Sequence, residues 1–365
     1  MNLIRSALTV GAMTAISRVL GFVRDVLIAA SLGTGLVADV FFVAFRLPNL
    51  FRRLFAEGAF NAAFVPLFSG RLEAEGSTAA RRFASEAASA LLWALIVFTA
   101  LFELAMPLVV YVIAPGFTDT PEKLDLTVLL TRIAFPYLAF MSLVALISGI
   151  LNALGRFAVA AAAPIVLNIV LIATLLAIIE LDLAATPEAG RMLTWGVALA
   201  GALQLLLVWV AAMRADFAPR FTLPRLTPGV KRLLVLGIPG VLAAGATQIN
   251  IVIGTIIASF QDGAVSFLYY ADRIYQLPLG IVGIAIGIVL LPDLSRRLAA
   301  GDGPGALAAQ NRACEFSMLL TIPAAAALIA IPAAIISVLF EHGRFDASDT
   351  AATAPALAAF AAGLP

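Results

Sequence analysis

Charged residues are scarce in this chain, and so are the residues that build disulfides and transition-metal sites. Only 12% of its 365 residues are Asp, Glu, Lys or Arg, against about 25% in soluble domains. The single cysteine, Cys314, excludes an internal disulfide. The single histidine, His342, has no second histidine or cysteine cluster to join, so we predict no metal site and no cofactor.

Apolar residues take the place of the missing charges. They form 62% of the chain, and the mean hydropathy is +1.04. Because roughly 20 apolar residues cross a bilayer as a helix, we predict nine complete membrane helices, at 6–31, 37–68, 86–113, 126–151, 158–180, 191–213, 234–260, 266–294 and 313–340. A further apolar segment begins near Thr350 and stops at Pro365, so we expect the chain to end within a tenth helix. The predicted fold class is an all-α polytopic membrane protein.

Basic residues are divided unequally between the two sides of the predicted bundle. If the N-terminus is cytoplasmic, the cytoplasmic loops hold twelve of them: Arg71, Arg81, Arg82, Arg156, Arg214, Arg220, Arg225, Lys231, Arg232, Arg296, Arg297 and Arg312. The opposite loops hold three: Lys123, Arg191 and Arg344. The positive-inside rule therefore predicts a cytoplasmic N-terminus. The net charge of +1, spread over these loops, gives no indication of nucleic-acid binding.

A short internal repeat indicates two related halves. Residues 65–72 (VPLFSGRL) match residues 291–298 (LPDLSRRL), and residues 42–46 resemble 269–273 at nearly the same spacing. An even number of predicted helices separates the copies, so the halves should be parallel and related by an axis along the membrane normal. We predict two pseudo-symmetric lobes around a central cavity: an N-lobe of six helices over 1–215, a basic cytoplasmic linker over 216–232, and a partial C-lobe over 233–365.

Arginines lie within or against the apolar segments, where a cation costs several kcal/mol. They are Arg18, Arg24, Arg46, Arg52, Arg53, Arg132 and Arg273. The nearby acids are too few to pair with all of them, so an anionic ligand in a wet cavity is the expected partner. Guanidinium suits phosphate because it donates two parallel hydrogen bonds and stays charged. The alternative is that these side chains extend to the membrane surface.

Local spacing refines this set. Arg53 and Glu57 are four residues apart, which predicts a salt bridge on one helix face and leaves Arg52 as the better ligand candidate. Pro48 is predicted to break the second helix. Asp272 can neutralise Arg273, although adjacent residues on a helix point about 100° apart, which argues against that pair.

Three segments carry a resemblance to a known family. Residues 17–25 (SRVLGFVRD), 38–60 (ADVFFVAFRLPNLFRRLFAEGAF) and 269–273 (YYADR) resemble the MurJ/MviN lipid II flippases of the multidrug/oligosaccharidyl-lipid/polysaccharide exporter superfamily. The resemblance implies two six-helix lobes, followed by two helices that lie beyond this chain. It also implies movement of lipid II, a lipid-linked peptidoglycan precursor, to the periplasmic leaflet of the bacterial inner membrane. Lipid II, membrane lipids and cell-wall synthesis proteins are the partners that it implies.

The resemblance also assigns residues. It implies that the substrate is bound by Arg18, Arg24, Arg52 and Arg273, and that the cavity or gate contains Ser17, Asp25, Asp39, Asn49, Glu57 and Ser266. Two other functions stay open: export of another polyprenyl-diphosphate-linked glycan, and an intramembrane transferase acting on a polyprenyl diphosphate. The transferase would need clustered carboxylates, whereas Asp25, Asp39 and Asp272 are scattered. No nucleotide-binding loop is present, so ATP is not expected as the direct energy source.

Overall fold

The computed structural model describes residues 3–53, 59–285 and 291–365, with side chains described for 8–53, 62–240, 245, 248–280, 282 and 293–365. Within these ranges the chain forms α-helices and one short 3-10 helix, Pro115–Asp119, and no strand. The helices are α1 Leu3–Leu32, α2 Leu36–Arg52, α3 Ala59–Ala74, α4 Gly76–Ile113, α5 Pro121–Ala134, α6 Tyr137–Ala153, α7 Phe157–Glu180, α8 Pro187–Met213, α9 Pro228–Ser259, α10 Ala264–Ala285, α11 Leu291–Ala299, α12 Gly303–Ala330, α13 Pro332–Phe340 and α14 Ala347–Ala361.

Five helical segments of the described chain are long and apolar enough to cross a membrane. They are Gly76–Ile113, Pro121–Ala153, Phe157–Glu180, Pro187–Met213 and Gly303–Ala330. A helix satisfies its own backbone hydrogen bonds, which is why such segments are stable in lipid. The prediction of an all-α, multi-pass membrane protein is confirmed, while the total of nine complete spans stays a prediction.

Prolines divide two of the predicted helices, whereas one proline lies inside a helix that continues past it. Pro136 separates α5 from α6, so the segment predicted at 126–151 is two helices. Pro332 begins α13, where its missing N–H has no intrahelical partner to lose, and this divides the segment predicted at 313–340. Pro48 instead lies inside α2, which continues to Arg52, so the predicted break there is wrong. Pro48 is buried within the helix.

The chain divides into two compact units. Unit 1 comprises Met1–Leu27 and Gly35–Asp262; unit 2 comprises Ile28–Thr34 and Gly263–Pro365. The lobes predicted at 1–215 and 233–365 rest on a repeat rather than on compactness, and they stay a prediction. In unit 1, the rings of Phe51, Phe98, Phe102 and Phe135 pack with centroids 4.3 to 6.2 Å apart. This aromatic cluster joins α2 to α4 and to the α5–α6 junction.

In unit 2, the last turn of α1 packs against α10 and the loop before α14. The Tyr270 hydroxyl donates to the Gly33 carbonyl at 2.9 Å, and the Arg344 amide donates to the Ala30 carbonyl at 2.8 Å. Gly33 has a φ of 61°, and a Cβ there would lie 2.6 Å from the Arg344 carbonyl oxygen. A side chain at this position would therefore force the two backbones apart.

Candidate functional site

Arg24 and Asp25 form a buried ion pair within α1. The Arg24 Nε and Nη2 atoms donate to Asp25 Oδ1 at 3.0 and 2.7 Å. The two residues are 9% and 3% exposed. Adjacent residues diverge on a helix, but the long arginine side chain turns back to reach its neighbour. Both predicted site residues therefore belong to one polar group inside a helix that is otherwise largely apolar.

Asn168, on α7, holds the other side of this arginine. Its Oδ1 accepts from Arg24 Nη1 at 2.9 Å, while its Nδ2 donates to the Ser17 carbonyl at 2.8 Å. The amide is buried, and it lies against Gly21, where a Cβ would come within 3.6 Å of it. Asn168 was not among the site residues predicted from the sequence. The available signal was a lone amide side chain near the middle of a strongly apolar segment.

Ser17 and Arg18 differ in their surroundings although they are adjacent on α1. Ser17 is half-buried and bound through its carbonyl to Asn168, so it joins the Arg24 group. Arg18 is exposed. The structure thus brings Ser17, Arg24 and Asp25 together, whereas Arg18 lies on the accessible side of the helix.

The end of α2 carries a second group. Arg52 Nε donates to Asn49 Oδ1 at 3.1 Å, and Asn49 Nδ2 donates to the Phe45 carbonyl at 2.9 Å. Arg46, one turn earlier, donates to Thr255 Oγ1 on α9 at 2.6 Å. Glu57 lies outside the described residues, and so does the predicted salt bridge between Arg53 and Glu57.

Arg273 belongs to unit 2, on α10. Its Nη2 lies 3.5 Å from Asp272 Oδ2, and its guanidinium lies 4.8 Å from the centre of the Tyr269 ring. Asp272 and Arg273 therefore do pair, and the prediction that adjacency would keep them apart is wrong. The long arginine side chain again outweighs the angle between adjacent residues on a helix. Gln276 also donates to Asp272, and Ser266 on the same helix is fully buried.

Asp39, near the start of α2, is bound by a lysine that sequence analysis placed in an exposed loop. Lys123 Nζ donates to Asp39 Oδ2 at 3.1 Å and to Asp262 Oδ1 at 3.0 Å. The Lys123 and Asp39 side chains are 4% and 0% exposed, whereas the Asp262 side chain is fully exposed. Lys123 also lies 4.2 Å above the Phe117 ring, a cation–π contact. A buried cation thus connects α2, α5 and the end of α9 within unit 1.

These groups place permanent positive charge inside apolar helices and hold it by hydrogen bonds. Guanidinium has five N–H donors in a fixed plane, so one arginine can bind several oxygen acceptors at once. A phosphate or diphosphate matches that geometry. Binding of an anion is the chemistry that the arrangement supports directly.

Comparison with known proteins agrees with this chemistry. Residues 28–365 match the model of the family described as "Lipid II flippase MurJ". The chain is 52% identical to a "Probable lipid II flippase MurJ" of Rhizobium tropici and 37% identical to the "Lipid II flippase MurJ" of Burkholderia cenocepacia. All of this chain is covered in both comparisons, together with 68% and 71% of the relatives' lengths.

Solved structures give the same result. The fold matches a structure titled "Lipid II flippase MurJ, inward closed conformation" with a TM-score of 0.81 at 26% identity, over 98% of this chain and 73% of that one. An inward-facing multidrug resistance MATE family transporter matches with a TM-score of 0.71 at 13% identity, over 96% of this chain and 79% of that one, and shows the fold alone. The chain belongs to the lipid II flippase MurJ family.

Proposed function

We propose that this protein is a flippase that moves lipid II from the cytoplasmic to the periplasmic leaflet of the bacterial inner membrane. The observation that carries the proposal is the buried Arg24, held by Asp25 and Asn168 in a chain of this family. A buried arginine held in a fixed orientation suits a diphosphate that must leave water, because guanidinium N–H groups can replace part of the lost hydration. The relatives are named as flippases, which are transporters and not enzymes.

The substrate site that we propose contains Arg18, Arg24, Arg52 and Arg273 as ligands of the diphosphate. Ser17, Asn49 and Glu57 would line the path of the headgroup, and Asp25, Asp39 and Ser266 would lie near the periplasmic closure. Support comes from the family assignment and from the hydrogen bonds that orient Arg24 and Arg52. Export of another polyprenyl-diphosphate-linked glycan would use the same arginines, so substrate choice must be measured.

The mechanism that we propose is alternating access. The lobes 1–215 and 233–365 would rock about the linker 216–232, so that the substrate site opens first to one side and then to the other. The sugar–peptide headgroup would cross through the protein while the polyprenyl tail stays in lipid. No bond is made or broken in this cycle.

Orientation can be tested by cysteine labelling. We propose a cytoplasmic N-terminus, which places Arg156 inside and Glu188 and Asp346 outside; all three are exposed. In a Cys314→Ser background, a membrane-impermeant maleimide should label Glu188→Cys and Asp346→Cys in intact spheroplasts, and Arg156→Cys only after lysis. Labelling of Arg156→Cys in sealed cells would show the opposite orientation.

Transport itself can be tested in proteoliposomes. Fluorescent lipid II in the inner leaflet should reach the outer leaflet, as read by a membrane-impermeant quencher, much faster than in protein-free vesicles. A polyprenyl-diphosphate oligosaccharide without the peptide is the matched substrate, and equal rates for both would favour the broader exporter. A labelled phospholipid that moved as fast as lipid II would contradict specific transport of a diphosphate-linked substrate.

The same preparation tests alternating access. We propose that this gate lies where the end of α1 meets unit 2, and cysteines at Ile28 and Ser266, both buried in unit 2, are the pair chosen to lock it on oxidation. We expect cross-linking to stop lipid II transport and reductant to restore it, while each single-cysteine variant stays active after oxidation. Normal transport by the cross-linked protein would exclude a gate at this contact.

A further inference from the structure

The segment between α8 and α9 is strongly basic and carries exposed apolar side chains. Together with the first residues of α9, over 214–232, it has five basic residues and one acid. All five basic residues are exposed: Arg214, Arg220, Arg225, Lys231 and Arg232. Leu223 and Leu226 are 72% and 69% exposed. Exposed leucines beside unneutralised arginines are unfavourable in plain water but suit the boundary of an anionic bilayer.

This segment is held along one face of α4. The Arg220 amide donates to Ser85 Oγ at 3.0 Å, and the Thr222 amide donates to Ser89 Oγ at 3.0 Å. One turn further along α4, Trp93 Nε1 donates to the Thr222 carbonyl at 3.3 Å. Thr227 Oγ1 then donates to Glu86 Oε2 on α4 at 2.8 Å. We call residues 220–227 the α4 loop; its tip is Leu223, Pro224, Arg225 and Leu226.

The depth of the α4 loop follows from α4 itself. The apolar part of α4, residues 91–113, spans about 35 Å at 1.5 Å per residue, enough to cross a hydrocarbon core of about 30 Å. The N-terminal end of this apolar part falls near Trp93, which is 40% exposed. Tryptophan favours the membrane–water boundary. Thr222, bound to Trp93, lies at that boundary, and so does the tip that follows it.

We propose that the α4 loop is a binding site for anionic phospholipid headgroups. Leu223 and Leu226 would enter the headgroup–acyl boundary beside Trp93, and Arg220 and Arg225 would bind phosphates of the same leaflet. Trp209 stacks on Phe221 with centroids 5.3 Å apart, so the loop has a rigid support. The site is distinct from the Arg24 group and does not depend on the transported substrate.

The test uses the full-length protein in nanodiscs, with Cys314→Ser and an environment-sensitive fluorophore on Leu223→Cys. Lipids brominated in the acyl chain should quench the probe, more strongly when the brominated lipid is phosphatidylglycerol than when it is phosphatidylcholine in a mixture of both. Arg220→Gln with Arg225→Gln should reduce this preference about fivefold per arginine, since each is worth about 1 kcal/mol near an anionic surface. High salt should reduce it as well.

The matched control removes two arginines from the opposite side, as Arg191→Gln with Arg344→Gln, and should leave the preference unchanged. The double substitution Arg220→Gln with Arg225→Gln keeps the α4 loop bound to α4, because the hydrogen bond from Arg220 to Ser85 is made by the backbone amide of Arg220. Three results would overturn the proposal: equal quenching by both lipids, a probe quenched by aqueous iodide and not by brominated lipid, or an equal loss in the control pair.

Discussion

Arg24→Ala should abolish growth of a flippase-depleted strain that depends on this protein. The substitution removes three donors from Asp25 and Asn168 and leaves a carboxylate that is 3% exposed without its arginine. Breaking a buried ion pair costs about 3–5 kcal/mol, and the proposed diphosphate ligand is lost with it. Growth in the depletion strain and protein level in its membranes are the measurements.

Because Arg24→Ala can also lower the amount of folded protein, Arg24→Lys gives the sharper result. A lysine keeps the charge but has one nitrogen, so it cannot reach Asp25, Asn168 and a phosphate together. We expect normal protein level and little growth. Asn168→Leu should fold and bind lipid II about tenfold more weakly, since it removes one hydrogen bond to a charged group. The control Arg191→Ala removes one partner of the exposed Arg191–Glu188 pair and should support normal growth. Full growth with Arg24→Lys would refute recognition by the guanidinium fork.

Lys123→Met should strongly lower the stability of the folded protein. Lys123 lies far along the chain from Arg24, so this effect is separate from that of Arg24. Asp39 is fully buried and loses this cation, a change that costs about 3–5 kcal/mol in comparable buried pairs. Methionine fills a similar volume, so the loss reports charge rather than packing. Thermal unfolding of the purified protein in detergent should shift to clearly lower temperature.

Asp262→Asn is the matched control for Lys123. It removes the negative charge from the other partner of the same lysine, but the Asp262 side chain is fully exposed, so water screens that pair. We expect an unfolding temperature close to that of the unmodified protein. The double variant Lys123→Met with Asp39→Asn should recover part of the loss, because the buried charge is gone from both sides. Equal destabilisation by Asp262→Asn and Lys123→Met would show that burial of the pair is not the cause.

Much of the fold could be predicted from the sequence because membrane helices are local structures. Length, hydropathy and missing charge are read along the chain, and α4, α7 and α8 lie close to the predicted spans. Proline was less informative. Pro136 and Pro332 stand at helix boundaries whereas Pro48 lies inside a helix, and the residue type is the same in all three cases.

The candidate site divides in the same way. Arg18, Arg24, Arg52 and Arg273 could be found because a cation in an apolar segment is conspicuous in any sequence. Two contacts could not be found: that of Asn168 with Arg24, which is 144 residues away, and that of Lys123 with Asp39, since Lys123 looked like one more loop lysine. Each was identified only once the helices were packed together.

The sequence alone determined that the chain is a bundle of membrane helices with arginines in its apolar segments, and its motifs determined the family. Both are encoded in neighbouring residues, through the cost of charge in hydrocarbon and through uninterrupted matches. The tertiary structure alone decided which acid or amide holds each cation, and that the basic segment after α8 lies along α4 beside Trp93. Several of these contacts join distant residues, 84 positions apart for Asp39 and Lys123 and 144 for Arg24 and Asn168, and hydrogen bonds act over about 3 Å in space whatever the distance along the chain.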